Sequence, residues 1–186
     1  MGMKLKHGLF AAMKHGLFAA IVGVLALGIA VPASAVPGGT TATITVQGGA
    51  LAITVPADAG NLGTAINTVT GEVITGSLGQ VQVNDARDAA AGSGWVASVI
   101  ATAFTPTPGP AIAASAVAYT AGPITKVGTA TFTANDPTNL TGVVAAVTAT
   151  GITGDNSATW NPTISVTVAG GMAAGVYSAT ITHSVA

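Results

Sequence analysis

Apolar and polar residues alternate with a period of two in five stretches of this chain. The stretches lie at residues 41–46, 51–55, 80–84, 163–168 and 177–185. Successive side chains of a β-strand point to opposite faces of a sheet, so each stretch predicts a strand with one face in a core and one in water. In the fourth stretch Ile164, Val166 and Val168 share one parity, and hydroxyl-bearing residues occupy the other.

Clusters of turn-forming residues separate these predicted strands. Gly, Pro, Asn and Asp concentrate at residues 47–49, 56–60, 88–94, 106–110, 135–137, 154–156 and 170–171. Roughly eight to ten short strands at such spacing predict an all-β fold, an antiparallel β-sandwich of immunoglobulin-like type. The Ala-rich stretch at 111–119 fits either a strand or one helical turn.

The first 35 residues have the layout of a secretory signal peptide. A segment with three lysines precedes an apolar run at 17–31, and Ala-Ser-Ala follows at 33–35. The run is shorter than the roughly 20 residues that a membrane-spanning helix needs. We therefore expect cleavage after Ala35 and secretion of residues 36–186 as one β-sandwich domain, free of the membrane. An uncleaved N-terminal anchor is the alternative.

Charge and cysteine content narrow the possible partners. After residue 35 the only basic side chains besides one histidine are Arg87 and Lys126, against six acidic ones, which gives a net charge of about −4. Without a basic patch, nucleic-acid binding through phosphate neutralisation is excluded. The chain has no cysteine, so it forms no disulfide and carries no lipid-modified cysteine. Attachment to a surface is therefore expected to be non-covalent.

The chemically reactive side chains are too scattered to predict an enzyme. His183 is the one histidine after the predicted cleavage site, and its place on the apolar parity of its strand predicts a buried structural role. Asp85 and Asp88 bracket Arg87, an arrangement that fits an ion pair, a turn-capping network or a calcium site. A hydrolase that uses two carboxylates stays a third hypothesis. We expect no cofactor and no metal.

Two tryptophans are each predicted to open a strand after a loop that contains Gly or Asp. Trp95 follows the glycine-rich loop at 92–94, and Trp160 precedes Asn-Pro at 161–162. A large indole in such a place either anchors one end of a core or presents an exposed ring to a glycan. Both interpretations stay open at this point.

The order of these motifs resembles the WxL domain of Gram-positive bacterial surface proteins, in a form similar to secreted actinobacterial relatives. The motifs are Val-x-Val at 81–83, Asp-x-Arg at 85–87, Gly-x-Gly-Trp at 92–95, a late strand with Trp160, and the closing segment 175–182. The resemblance covers roughly residues 41–185. It implies a β-sandwich-like domain that attaches non-covalently to the cell wall, with peptidoglycan as its ligand.

The chain departs from the family pattern at the leucine that names it. The motifs read Trp-Val-Ala at 95–97 and Trp-Asn-Pro at 160–162. This departure weakens the inference about the ligand more than the inference about the fold.

Two functions follow from these observations. The first is a secreted, non-catalytic domain associated with the cell wall, which binds peptidoglycan or another wall glycan through Trp95, Trp160, Asp85 and Arg87. The alternative is a self-assembling subunit of a surface fibre or layer, a homo-oligomer held by threonine-rich strand faces and exposed strand edges. An ordinary solvated sheet face would explain the same hydroxyl pattern.

Overall fold

The computed structural model describes residues 42–106 and 109–186. The predicted signal peptide and its cleavage site lie outside the described residues. Residues Ile44–Ala186 cluster into one unit, in which every paired strand is antiparallel to its neighbours. Within the described ranges no helix is long and apolar enough to cross a membrane.

Nine strands and one short 3-10 turn, Ala114–Ala116, form in the described part of the chain. The strands are β1 (Leu51–Thr54), β2 (Glu72–Ser77), β3 (Val81–Asp85), β4 (Ser93–Ala101), β5 (Val117–Thr120), β6 (Thr125–Ala134), β7 (Val144–Trp160), β8 (Thr163–Val168) and β9 (Ile181–Val185). The predicted all-β fold of packed antiparallel sheets is confirmed, and the strand count falls in the expected range.

The long strand β7 organises the larger sheet. β6 pairs with β7 from Thr125↔Thr159 to Ala134↔Val147 and so occupies one edge of it. β3 and β4 pair with successive parts of β7 and share the opposite edge, since residues 147–149 and 157–159 of β7 pair on both sides. β1 and β9 then pair with the outer edges of β3 and β4. Residues 86–92 therefore leave the sheet after β3 and rejoin it as β4.

The smaller sheet, in the order β2-β8-β5, covers one face of the larger sheet. Val81 and Val83 of the larger sheet and Ile164 and Val166 of the smaller one are buried in the shared core. These positions lie on the predicted apolar parity of β3 and β8. The alternation of the sequence thus identifies the core face of both strands.

One predicted strand is not formed. Within residues 42–50 the structure has no strand, and Ile44 and Val46 are 91% and 88% exposed. The reason lies at Gly49, whose backbone N–H donates to the carbonyl of Ala86 and prolongs the β1–β3 ladder. Residues 47–50 form neither a turn nor a bend, so the chain does not fold back there into a hairpin with β1.

The ambiguous stretch at 111–119 contains both predicted alternatives. Its middle is the 3-10 turn Ala114–Ala116, and β5 begins immediately after it at Val117.

Candidate functional site

Asp85 is a buried carboxylate in the larger sheet, and Arg87 is its ion-pair partner. Asp85 is 1% exposed, and its Oδ1 lies 2.8 Å from Arg87 Nε. Arg87 Nη2 donates to Oδ2 at 3.0 Å, and the backbone N–H of Arg87 donates to Oδ1 at 3.2 Å. These bonds from Arg87 hold the pKa of the Asp85 carboxyl below its usual 3.8, against the opposing effect of burial.

Asn156 connects this ion pair to Trp95. Its Nδ2 donates to Asp85 Oδ2 at 3.1 Å, and its Oδ1 accepts the indole N–H of Trp95 at 2.9 Å. Trp95 packs against Phe132 with ring centroids 5.7 Å apart. The four donors to the two oxygens of Asp85 saturate the carboxylate, so it is ionised and has no free lone pair with which to take up a substrate proton.

The network lies where residues 86–92 interrupt the pairing of β3 and β4 with β7. Asp85 ends β3 and Trp95 lies at the start of β4, and the network joins both to Asn156 of β7 across the gap. Asp88 adopts a positive φ of 52°, and its backbone N–H donates to Asp155 Oδ1 at 3.0 Å. The polar groups therefore hold together a sheet edge that the backbone ladder alone leaves interrupted.

A second polar chain crosses the core at Trp160. The indole N–H of Trp160 donates to the hydroxyl of Tyr119 at 2.8 Å, and that hydroxyl lies 3.3 Å from His183 Nε2. Burial raises the pKa of Tyr119 to about 12 and lowers the pKa of His183 below 6.5. A neutral imidazole can then accept a hydrogen bond from the tyrosine hydroxyl. Hydrogen bonds that all run in one direction, from Trp160 to Tyr119 to His183, therefore link β7, β5 and β9.

The structure divides the four predicted site residues into two groups. Asp85, Arg87 and Trp95 share one network, and Trp160 lies in the other. Trp95 and Trp160 are 2% and 1% exposed, so stacking of a sugar on either ring would require the core to open. The Arg87 side chain, 37% exposed, is the one predicted group with substantial contact to solvent.

Sequence reasoning missed Asn156 and Tyr119, which complete the two chains. Asn156 shares the core parity of Ala158 and Trp160 on β7, and a lone amide among such positions is the signal that could have identified it. Tyr119 belongs to the stretch 111–119, for which the sequence does not distinguish a strand from a helical turn. In residues 42–106 and 109–186 no group of three His, Cys, Asp or Glu side chains could hold a metal ion.

A groove of about 990 Å³ opens beside the core and was also not predicted. Leu78, Val81, Phe104 and Val166, all nearly buried, form part of its lining. Two irregular segments, residues 55–68 and 172–180, contribute much of the remaining walls. The sequence predicted a turn at 56–60 in the first segment and a strand from residue 177 in the second, and neither prediction gives information about the space between them.

The outer face of the larger sheet carries a field of hydroxyl and amide groups. Across β6 and β7 the register places Thr129 opposite Thr153, Thr131 opposite Thr150, and Thr133 opposite Thr148. Further members of the field on β3, β6 and β7 are Gln82, Asn84, Thr125, Ser157 and Thr159. No member is charged, and the same register places one exposed apolar residue, Val127, among them, opposite Ser157. We call these eleven residues the hydroxyl face.

Comparison of the chain with protein-family models, with curated proteins and with solved structures finds no match.

Proposed function

We propose that this protein is a secreted, non-catalytic domain that attaches to the cell wall without a covalent bond and contacts the wall glycan through its hydroxyl face. The observation that carries the proposal is the width of that face, which spans three neighbouring strands, β3, β7 and β6. The layout of a signal peptide and the resemblance to WxL domains support the same proposal from the sequence.

The spacing of the hydroxyl face suits an extended, uncharged polymer. Neighbouring strands place side chains about 4.8 Å apart, and alternate residues along one strand lie roughly 6.8 Å apart. Hydroxyl and amide groups both donate and accept hydrogen bonds, as sugar hydroxyls do. The carboxylate of β7, Asp155, is engaged by the backbone N–H of Asp88. Each contact is weak, so binding depends on many contacts along the polymer.

This proposal gives the tryptophans and the Asp85–Arg87 pair a supporting role. They hold β3, β4 and β7 in register, and the outer side chains of β3 and β7 form part of the face. The binding surface is then distinct from the motifs that the family resemblance emphasises.

Sedimentation with purified peptidoglycan tests the proposal. We expect the secreted protein to be retained above the level of an unrelated secreted β-sandwich. The double variant Thr129→Val/Thr131→Val removes two hydroxyls with little change in shape and should lower the affinity by roughly three- to thirty-fold. The matched control is Thr75→Val/Thr167→Val on the outer face of the smaller sheet, where Thr75 bonds to Ser165 at 3.0 Å.

The two parts of the proposal fail in different ways. No retention of the unaltered protein would remove wall binding altogether. Retention that the Thr129/Thr131 variant and the Thr75/Thr167 control lower equally would leave wall binding in place but remove the hydroxyl face as its site.

A further inference from the structure

We infer that residues 42–48 of one copy add as a strand to the groove of a second copy, so that the protein assembles head to tail. The two components of this contact are the unpaired segment before β1, here called the leading segment, and the groove beside β2. Both lie in the described part of the chain, and the proposal is independent of wall binding.

The leading segment has the composition of a strand and no strand partner. Its alternating threonine and apolar residues favour a pleated, half-buried surface, and it carries no charge. Ile44 and Val46 are nearly fully exposed, whereas in the other predicted strands the apolar parity is buried or half-buried except at Val55, which is 41% exposed. An exposed segment with this pattern is a template for pairing with another chain.

The groove provides what the leading segment lacks. Its walls include the core residues Leu78, Val81 and Phe104 and the partly buried Met172. β2, which contributes Glu72 and Ile74 to the lining, pairs with β8 on one edge. Among the described residues, residues 58–67 form no backbone–backbone hydrogen bond with β2. They contact it through the Ile66 N–H, which donates to Glu72 Oε2 at 3.1 Å, and through Leu62, which lies against Gly76. An added strand that displaces this segment would find backbone partners on β2 and an apolar floor beside it.

Length also agrees. Seven extended residues span about 23 Å, and the six residues of β2 span about 20 Å. The volume of the groove is at the upper end of the roughly 300–1,000 Å³ that ligand sites occupy, which is more than a single sugar ring needs.

The leading segment and the groove lie at opposite ends of β1, which is why we infer that the groove is occupied by the leading segment of a second copy. The leading segment departs from the Leu51 end of β1, where Gly49 is bonded to Ala86. The groove begins at the other end of β1, where Val55 and Pro56 line it. A contact between two different surfaces on one molecule is heterologous, and such contacts produce open chains or rings. The expected product is therefore a fibre or a ring.

Cysteine cross-linking tests the contact directly, because the chain has no cysteine of its own. We would mix the variants Ile44→Cys and Met172→Cys, each of the whole secreted protein, under mild oxidation. The expected result is a disulfide-linked pair of unlike chains. The control mixture, Ile44→Cys with Thr129→Cys, should give at least tenfold less of the cross-linked pair, since Thr129 lies on the hydroxyl face.

Light scattering over a concentration series gives an independent measurement. We expect association of the unaltered protein, its loss in Ile44→Asp/Val46→Asp, and its retention in Thr43→Asp/Thr45→Asp, which adds the same charge on the opposite parity. A monomer at every concentration would overturn the inference. It would equally be overturned if a chain carrying both Ile44→Cys and Met172→Cys closed on itself in dilute solution, because the segment would then fill its own groove.

Discussion

Replacement of Asn156 by alanine isolates the polar network that joins β3, β4 and β7. The change removes two hydrogen bonds at once, to the Trp95 indole at 2.9 Å and to the Asp85 carboxylate at 3.1 Å. Both partners are at most 2% exposed, so water cannot replace the lost bonds without opening the core. An orphaned buried donor costs about 1–3 kcal/mol, and a lost bond to a charged group about 1.5–3 kcal/mol.

Because the surrounding structure relaxes, we expect Asn156→Ala to lower the free energy of unfolding by about 3 kcal/mol. For a domain of this size the melting temperature should fall by roughly 6–12 °C. Urea unfolding followed by tryptophan fluorescence and by far-ultraviolet circular dichroism measures the change. The slope against urea should stay constant if only the native network is altered.

Asn135→Ala is the matched control, because Asn135 also donates a side-chain hydrogen bond, to Thr148 at 2.9 Å, but is exposed. It should cost no more than about 0.5 kcal/mol. Adding Trp95→Phe to Asn156→Ala removes the orphaned N–H, so the double variant should be more stable than the sum of the single changes by about 1–2 kcal/mol. Equal losses in Asn156→Ala and Asn135→Ala, or strict additivity, would refute the network as a stabilising unit.

Three further predictions concern the core and one turn. Because burial lowers the pKa of His183, the unfolded chain binds more protons than the folded one near and below pH 6.5, so stability should decrease as the pH is lowered through 6.5, and His183→Gln should flatten that dependence in urea titrations. Tyr119→Phe orphans the Trp160 indole N–H and should cost about 1–3 kcal/mol in the same assay. Gly71→Ala should lower the melting temperature more than Gly92→Ala, since both have positive φ but only at Gly71 would a Cβ collide with backbone.

The strands that the sequence predicts most accurately are those with two clearly different faces. The predicted limits of β8, 163–168, coincide with the observed strand, and the closing alternation correctly identifies the half-buried parity of β9. In both strands more buried and more exposed positions alternate along the chain. The period of two in the sequence therefore indicates directly which side chains face the core.

The central strand β7 was not predicted because bulges break its period. Its core-facing positions include Ala149 and Ile152, which are three residues apart, and the pairing with β4 shifts register in the same region. Trp160, which was predicted to open a strand, instead ends β7. Gly154, at a φ of 68°, belongs to the turn predicted at 154–156 but lies inside the strand, as does Gly151 at a φ of 62°. A glycine with positive φ is compatible with either, and only the neighbouring strands decide between them.

The candidate site was predicted in part for a related reason. The spacing of Asp85 and Arg87 indicates a local ion pair, and local spacing is enough to form it. Asn156 is 71 residues from Asp85, so no local pattern could bring it into the network. Whether Trp95 is buried depends on that distant amide, because a buried indole N–H needs an acceptor.

The leading segment was predicted as a strand but has no partner, and the reason is again that a local sequence pattern does not identify distant contacts. Residues 41–46 alternate as regularly as β8, but alternation encodes only the tendency to form a strand and the parity of its apolar face. The partner has to come from elsewhere, and the described chain offers residues 42–46 none. The same molecule has an apolar groove beside a strand paired on one edge only. If the leading segment of one copy pairs with β2 in the groove of another, both the unpaired segment and the open strand edge gain a partner. The oligomeric state is therefore the property that tests this inference most directly.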